Sequence, residues 1–222
     1  HDLKSPLNRI TGLINVIRLS PNNINEEQQG YLDLITETSQ KLKRMVMRIL
    51  DADAIDEHNP NLSLEVINIS DFVSKRTQEF DERAREKYID LKLESSNIEI
   101  PVCIDASYFD QVFENLLSNA IKFSPKGKQV CVGVKKEDGK AVVYIKDNGP
   151  GLTPEDKGKL FKKYQKLSAK PTGGEQSTGI GLSIVKKYID LLGGNIWCES
   201  NAGEGATFFI SFNISEHETL VA

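Results

Sequence analysis

Residues 115–122 read Asn115-Leu116-Leu117-Ser118-Asn119-Ala120-Ile121-Lys122, and residues 147–151 read Asp147-Asn148-Gly149-Pro150-Gly151. The first stretch continues a helical pattern that opens at Asp105 and runs to Phe123, with Phe109, Val112, Phe113, Leu116, Leu117 and Ala120 on one face. Asn115 and Asn119 are four residues apart, so their amides lie on one side of that helix about a turn from each other. The second stretch closes an apolar run, Ala141 to Ile145, that reads as a strand, and its glycines allow a close backbone approach and a positive φ. A helix carrying paired amides, followed by a strand that ends in a carboxylate and glycines, sets the class as α+β.

The surroundings extend the pattern. Leu62 to Ile67 and Tyr88 to Leu93 alternate or are β-rich, and Ser70 is expected to open an amphipathic helix with Phe72, Val73 and Phe80. Val130 to Val134, Asn195 to Glu199 and Thr207 to Phe212 read as further strands, the last two joined through Asn201-Ala202-Gly203. Gly181 to Leu192 is expected to be a helix stopped by Gly193-Gly194. The sum is an α/β sandwich of antiparallel or mixed strands with three helices on one face.

Upstream the period changes. Leu3, Leu7, Ile10, Ile14 and Ile17 form an a/d stripe that Ser20-Pro21-Asn22-Asn23 interrupts. A second helical pattern begins at Glu26 and carries Leu32, Ile35, Leu42, Val46 and Ile49, with polar Ser39 at one seam position. This is a helical hairpin, and pairing two of them into a dimeric four-helix bundle is the usual way to bury such a stripe. Asp56-Glu57-His58-Asn59-Pro60-Asn61 is polar and helix-breaking. The expected organisation is therefore a hairpin over 1–55, a linker over 56–61, a second domain over 62–215 and a tail over 216–222.

Composition removes several classes. The net charge of −4, with Lys and Arg dispersed among Asp and Glu, argues against a nucleic-acid surface. Cys103, Cys131 and Cys198 are odd in number and far apart, which suggests neither a disulfide framework nor a zinc site, and points to a cytoplasmic domain. No apolar run approaches the roughly 18 residues of a membrane span, so no membrane contact is expected of this segment. An amphipathic pattern already under way at Leu3 reads as a piece of something longer.

Four motifs then carry the chemistry, in the order Asn115-x-x-x-Asn119-Ala120-x-Lys122, Asp147-x-Gly149-x-Gly151, Gly179-x-Gly181-Leu182 and Gly203-x-Gly205-x-Thr207. An Asn amide oxygen suits a Mg²⁺ held otherwise by water and substrate phosphates, and Lys122 can reach those phosphates. A carboxylate at Asp147 can accept a hydrogen bond from an exocyclic amine and so select adenine. Gly179 and Gly181 precede a helix whose free N–H groups favour phosphate. The segment Thr153 to Thr178, with Ser168, Pro171, Thr172, Gly173 and Gly174, is expected to be a loose lid. Singly each motif is ordinary; the ordered set points to an adenine nucleotide.

On these residues the chain resembles the catalytic core of a sensor histidine kinase of the Bergerat (GHKL) ATP-binding superfamily. The matching boxes are His1 to Leu7, Asn115 to Ser124, Asp147 to Gly151, Phe161 to Tyr164, Gly179 to Leu182 and Gly203 to Thr207. The resemblance implies ATP and Mg²⁺ as cofactors and Asn119 as metal ligand. It implies a nucleotide set of Asn115, Asn119, Lys122, Phe123, Asp147, Gly149, Gly151, Lys166, Thr178, Gly179, Ile180, Gly181, Leu182 and Thr207. Superfamily members that hydrolyse ATP carry a water-activating Glu four residues before the metal-binding Asn; here that position is Asn115, an amide that takes no proton. Neither a Walker A sequence nor the His-Arg-Asp and Asp-Phe-Gly pair of protein kinases is present.

His1 is the candidate acceptor. It lies two residues from Leu3, about 200° around the helix, hence well away from the apolar stripe. A neutral imidazole can attack a γ-phosphoryl group, with Asp2 as the orienting base. Pro6 removes an N–H that Asp2 would accept and bends the helix. Lys4 and Ser5 match family positions tied to the phosphate and to dephosphorylation, with Ser5 standing where Thr or Asn is common. The expected function is autophosphorylation on His1 and transfer to a receiver-domain aspartate of a response regulator, the alternatives being a degenerate ATP-binding dimerisation module or a GHKL ATPase.

Overall fold

A computed structural model of the chain describes residues 10, 12, 14, 16, 17, 24–36, 38–39, 62–94, 98–163, 165, 167–172 and 179–215. The chain divides into two compact units, His1–Asn61 and Leu62–Ala222.

In the first unit, residues 10, 12, 14, 16 and 17 are helical (α1), as are 26–36 and 38–39 (α2). Asn25 and Gln28 form a reciprocal cap at the start of α2: the Gln28 N–H donates to Asn25 Oδ1 at 2.8 Å, and the Asn25 N–H to Gln28 Oε1 at 3.0 Å. Ile14, Leu32 and the seam residue Ser39 are buried, whereas Val16, Ile17, Tyr31, Leu34 and Ile35 stay exposed. The expected seam positions Leu3, Leu7, Leu42, Val46 and Ile49 and the linker lie outside the described residues, as does the tail.

The second unit runs β1 (Glu65–Asn68), α3 (Ile69–Glu79), α4 (Asp81–Glu86), β2 (Asp90–Glu94), β3 (Pro101–Ile104), α5 (Ala106–Phe123), β4 (Gln129–Glu137), β5 (Lys140–Lys146), α6 (Pro154–Lys159), α7 (Gly181–Leu191), β6 (Asn195–Ser200) and β7 (Ala206–Asn213). Five strands form one sheet in the order β2-β4-β5-β7-β6, while β1 and β3 pair separately. Only β2 and β4 are parallel; the other pairs are antiparallel. Alternation separates the two faces. Val132, Ile145, Phe208, Val134, Val143 and Ile210 are buried on the side where α3, α5 and α7 pack. The opposite side carries Tyr144, Phe209 and Trp197, the last two stacked at 5.1 Å between ring centroids.

Phe109, fully buried on α5, joins the layers: its ring lies 5.2 Å from Phe72 of α3 and 5.5 Å from Phe212 of β7. The α+β sandwich is thus the expected one, with local differences. The first strand starts at Glu65 rather than Leu62, because the sheet partner β3 reaches no further than Ile104. α3 starts at Ile69, one residue before Ser70, since Asn68 and not Ser70 supplies the capping oxygen. α4 and β3 were not legible, α4 having six residues of which only Ala84 is buried. The stretch expected as a loose lid contains α6, closed by a capping box between Thr153 and Asp156.

Replacing Phe109 by Ala removes a ring with no solvent exposure from the junction of three elements. It should lower unfolding free energy by about 3–5 kcal/mol, read from urea denaturation; a loss below about 1 kcal/mol would mean that the layers do not depend on this contact.

Candidate functional site

The site begins with a cap. Asp105 ends β3 and accepts from the N–H groups of Ser107 (3.0 Å) and Tyr108 (3.4 Å), which fixes where α5 starts. Its other oxygen accepts from the Ser63 N–H at 2.9 Å, tying the start of the unit to the same point. From there α5 runs eighteen residues, enough to carry both Asn115 and Phe123 on one rod.

Asn115 is buried, and its Nδ2 donates to the Gln111 carbonyl at 3.1 Å. Its Oδ1 is thereby turned toward Gly181, the first residue of α7, where a Cβ would come within 3.1 Å of it. Gln111 is itself held from α7, through the Tyr188 hydroxyl at 3.3 Å. Asn119, a turn further on, is half-buried. At the other end of α5, a Cβ on Gly149 would lie 3.0 Å from the Phe123 carbonyl. One helix therefore touches both glycine motifs, Gly181 near Asn115 and Gly149 at Phe123, with about 12 Å of helix rise between them. Lys122 Nζ lies 5.8 Å from the Phe123 ring centroid.

Asp147 sits just past β5 and is 6% exposed. Its Oδ1 accepts from the N–H groups of Gly149 (2.8 Å) and Ala206 (3.1 Å), and its own N–H donates to the Ala206 carbonyl at 2.8 Å. Burial pushes its pKa up to about 6, partly offset by the Gly149 and Ala206 donors. Gly151 (φ +68°) has no room for a side chain: a Cβ there would fall on the Asn201 carbonyl. The Gly203 N–H donates to the Pro150 carbonyl at 2.7 Å, and a Cβ on Gly205 would strike the Asp147 carbonyl. The last glycine motif thus buttresses the Asp147 loop from the β6–β7 turn. Thr207 stands one residue beyond Ala206 and pairs with Lys146 and Glu199, out of step with inward-facing Phe208.

Gly179 also has positive φ (+68°), with its hypothetical Cβ 2.6 Å from the Gln165 carbonyl. Ile180 caps α7 without a side-chain hydrogen bond, so the first N–H groups of α7 are left for another acceptor. Leu182 follows in the first turn. Lys166 and Thr178 lie outside the described residues, as do His1, Asp2, Lys4 and Ser5.

Sequence reasoning gave no individual role to Ser124, Asp156, Ser168 and Thr172, which the geometry involves. Ser124, with no solvent exposure, accepts from the Asn148 N–H at 3.3 Å and so joins α5 to the Asp147 loop. Asp156 accepts from the Thr153 hydroxyl (2.8 Å), the Ser168 N–H (2.9 Å) and the Ser168 hydroxyl, and the Ser168 donors hold its pKa down at about 2. Thr172 reaches the end of α5. Only the capping spacing Thr153-x-x-Asp156 could have been found beforehand. A cleft of about 480 Å³ opens between Asn148–Gly151, Ser168–Lys170, Thr172 and Ala202–Gly203. Among the described residues no cluster of three His, Cys, Asp or Glu could hold a metal alone. This donor set fits a Mg²⁺ that relies on one amide oxygen, water and substrate phosphates, and does not fit an all-protein cage.

Known proteins resemble the chain over most of its length. Residues 104–216 match the family model described as Histidine kinase-, DNA gyrase B-, and HSP90-like ATPase, and residues 1–58 match the His Kinase A (phospho-acceptor) domain. The Sensor protein SrrB of Staphylococcus aureus (strain NCTC 8325 / PS 47) is 28% identical over 214 residues, covering 95% of this chain and 36% of SrrB. Full-length ShkA, solved in complex with AMPPNP, superposes with TM-score 0.81 at 24% identity, over 99% of this chain and 45% of ShkA. ThkA, solved in complex with response regulator protein TrrA, gives TM-score 0.66 at 25% identity over 97% of this chain and 59% of that one. The chain spans about a third of the length of the curated relatives it matches.

Asp147 makes stability depend on pH. Because its folded pKa of about 6 exceeds the ordinary 3.8, its contribution is full below pH 4 and is lost as pH rises through 6. Asp147→Asn keeps an Oδ1 for both N–H donors and removes the buried charge. At pH 8 it should be more stable than wild type by roughly 2–3 kcal/mol, the gap vanishing near pH 4. Urea unfolding at the two pH values checks this, and a variant less stable at pH 8 would contradict it. The chain belongs to the histidine kinase-, DNA gyrase B- and HSP90-like ATPase family, as a sensor histidine kinase catalytic core.

Proposed function

We propose that the second unit binds Mg²⁺–ATP and that the γ-phosphoryl passes to His1, from which a response-regulator aspartate receives it. The observation that carries this reading is the contact of α5 with both glycine motifs, at Asn115 with Gly181 and at Phe123 with Gly149. The adenine end of the nucleotide is assigned to Asp147, whose free Oδ2 accepts from the exocyclic amine. The phosphate end is assigned to Lys122, Lys166 and the N–H groups that open α7, reached past Thr178, Gly179 and Ile180. Phe123, Gly149, Gly151, Leu182 and Thr207 complete the set by packing and backbone. Asn119 would hold the Mg²⁺, which when bound neutralises charge on the β- and γ-phosphates.

The chain's own residues then favour a nitrogen acceptor over water. Asn115 stands where a general base would be needed to activate water, and an amide cannot take that proton. A neutral His1 nitrogen attacks the γ-phosphorus, the bond to the β–γ bridging oxygen breaks, ADP leaves, and the imidazole proton is drawn toward Asp2. Lys4 and Ser5 are the residues assigned to the later hydrolysis of the phosphorylated histidine. ThkA, solved with its response regulator, supports a receiver domain as the next acceptor.

The organisation proposed is a phosphotransfer hairpin at 1–55, a linker at 56–61, the ATP-binding domain at 62–215 and a tail at 216–222. Exposed Ile17, Tyr31, Leu34 and Ile35 support a homodimer through the hairpin. No described helix is long and apolar enough to cross a membrane. The setting proposed is the cytoplasm.

Incubation with γ-labelled ATP and Mg²⁺ should label the chain with an acid-labile, base-stable phosphate. His1→Gln should abolish the label while ATP binding persists; Asn119→Ala should lower labelling at least a hundredfold. An acid-stable label would indicate a hydroxyl acceptor, and phosphate release without any label would indicate an ATPase.

A further inference from the structure

Between α6 and α7 the described stretch is fastened at two points. Ser168 gives both its N–H and its hydroxyl to Asp156. Four residues later, the Thr172 hydroxyl lies 2.8 Å from the Ser124 carbonyl and 3.1 Å from the Lys122 carbonyl, and the Thr172 N–H donates to Lys122 at 3.3 Å. These acceptors are the carbonyls at the end of α5, which have no partner within the helix and carry the negative end of its dipole. Lys87 donates to the neighbouring Ile121 carbonyl at 2.9 Å and shares the Lys122 carbonyl with Thr172, which leaves the Ser124 carbonyl to the Thr172 hydroxyl.

Thr172 is exposed, so packing in a core does not explain its place. What fixes it is the pair of carbonyls. The same turn of α5 presents Lys122 and Phe123, and Ser124 in turn holds Asn148. Thr172 and Ala169 with Lys170 form one wall of the cleft whose other wall is Asn148 to Gly151.

We propose that Thr172 is a positioning residue for nucleotide binding: its hydroxyl clasps the C-terminus of α5 and, with the Asp156–Ser168 tie, holds residues 168–172 as a wall of the cleft before nucleotide arrives. This rests on the nucleotide reading above. Ordering five residues of backbone on binding would subtract from affinity, and a wall already fastened avoids that loss. The clasp is assigned to the binding step, because the groups it joins all belong to the wall of the cleft and the end of α5.

The test uses the full chain with Thr172→Val, which keeps the shape and loses the hydroxyl, and Thr172→Ser, which keeps the hydroxyl. Calorimetric titration with ADP and Mg²⁺ gives Kd; labelling with γ-labelled ATP gives KM and the saturating rate. Thr172→Val should raise Kd and KM about three- to tenfold and leave the saturating rate unchanged. Thr172→Ser should stay within about twofold, and both should melt within about 2 °C of wild type without nucleotide. Wild-type affinity in Thr172→Val overturns the inference, as does equal weakening in both variants or tighter binding in Thr172→Val, which would mean the clasp obstructs the site. A wild-type chain that binds no ADP overturns the nucleotide reading itself, an outcome distinct from those.

Discussion

A carboxylate enclosed at the end of β5 is the constraint on which the second unit depends. Asp147 is almost without solvent, and the two backbone N–H groups that reach it come from different places, Gly149 in its own loop and Ala206 at the start of β7. That shared acceptor is what joins the Asp147 loop to the β6–β7 turn. It also explains the glycines: the chain crosses itself at Pro150–Gly203 and at Gly205 over the Asp147 carbonyl, closer than any side chain permits. Burial favours the protonated form of this carboxyl, and the Gly149 and Ala206 N–H groups oppose that only in part. Strain and unfavourable burial retained at one point, with a rigid sheet and three helices around it, fit a binding site better than a structural corner.

Much of this was legible because strong periodicity and fixed spacing coincide with long elements. α5 shows its buried face through Phe109, Val112, Phe113, Leu116 and Leu117, all with at most 1% exposure, and the amides ride on the same helix. β4, β5 and β7 announce themselves as apolar runs rich in β-branched or aromatic residues. What was not legible is short or amphiphilic. α4 buries one residue, and β3 is four residues long and headed by a proline. α6 carries Pro154 at its first position and Gly158 inside, a composition that reads as loop until the Thr153–Asp156 cap is weighed. Boundaries slipped where a cap decided them: Asn68, which binds the N–H groups of both Ser70 and Ile100, starts α3 because it serves two elements at once.

The candidate site divides the same way. Asn115, Asp147, Gly151, Gly179 and Gly181 could be named from spacing, since each occupies a place where only that residue type meets the local demand. Ser124, Ser168 and Thr172 could not, because their roles arise from contacts across 12 to 50 positions of sequence. A serine or threonine in a loop carries no periodic signal; its meaning appears only when the carbonyl it serves is located.

Asn115 shows how a single buried amide settles the chemistry without touching a reacting atom. Its N–H is spent on the Gln111 carbonyl, and Gln111 is steadied by Tyr188 from α7, so the amide has little freedom to rotate. Its oxygen therefore stays against Gly181, where it can support a neighbouring ligand and cannot relay a proton. A glutamate at this point would carry a charge next to the opening of α7 and could draw a proton from water. The amide is neutral there and supplies no base that could activate water. A carboxylate at Asp147 and an amide at Asn115 put a buried hydrogen-bond acceptor near one end of α5 and withhold a base further along it. On the proposed function, that asymmetry is what would separate a phosphoryl donor domain from a hydrolase on the same fold.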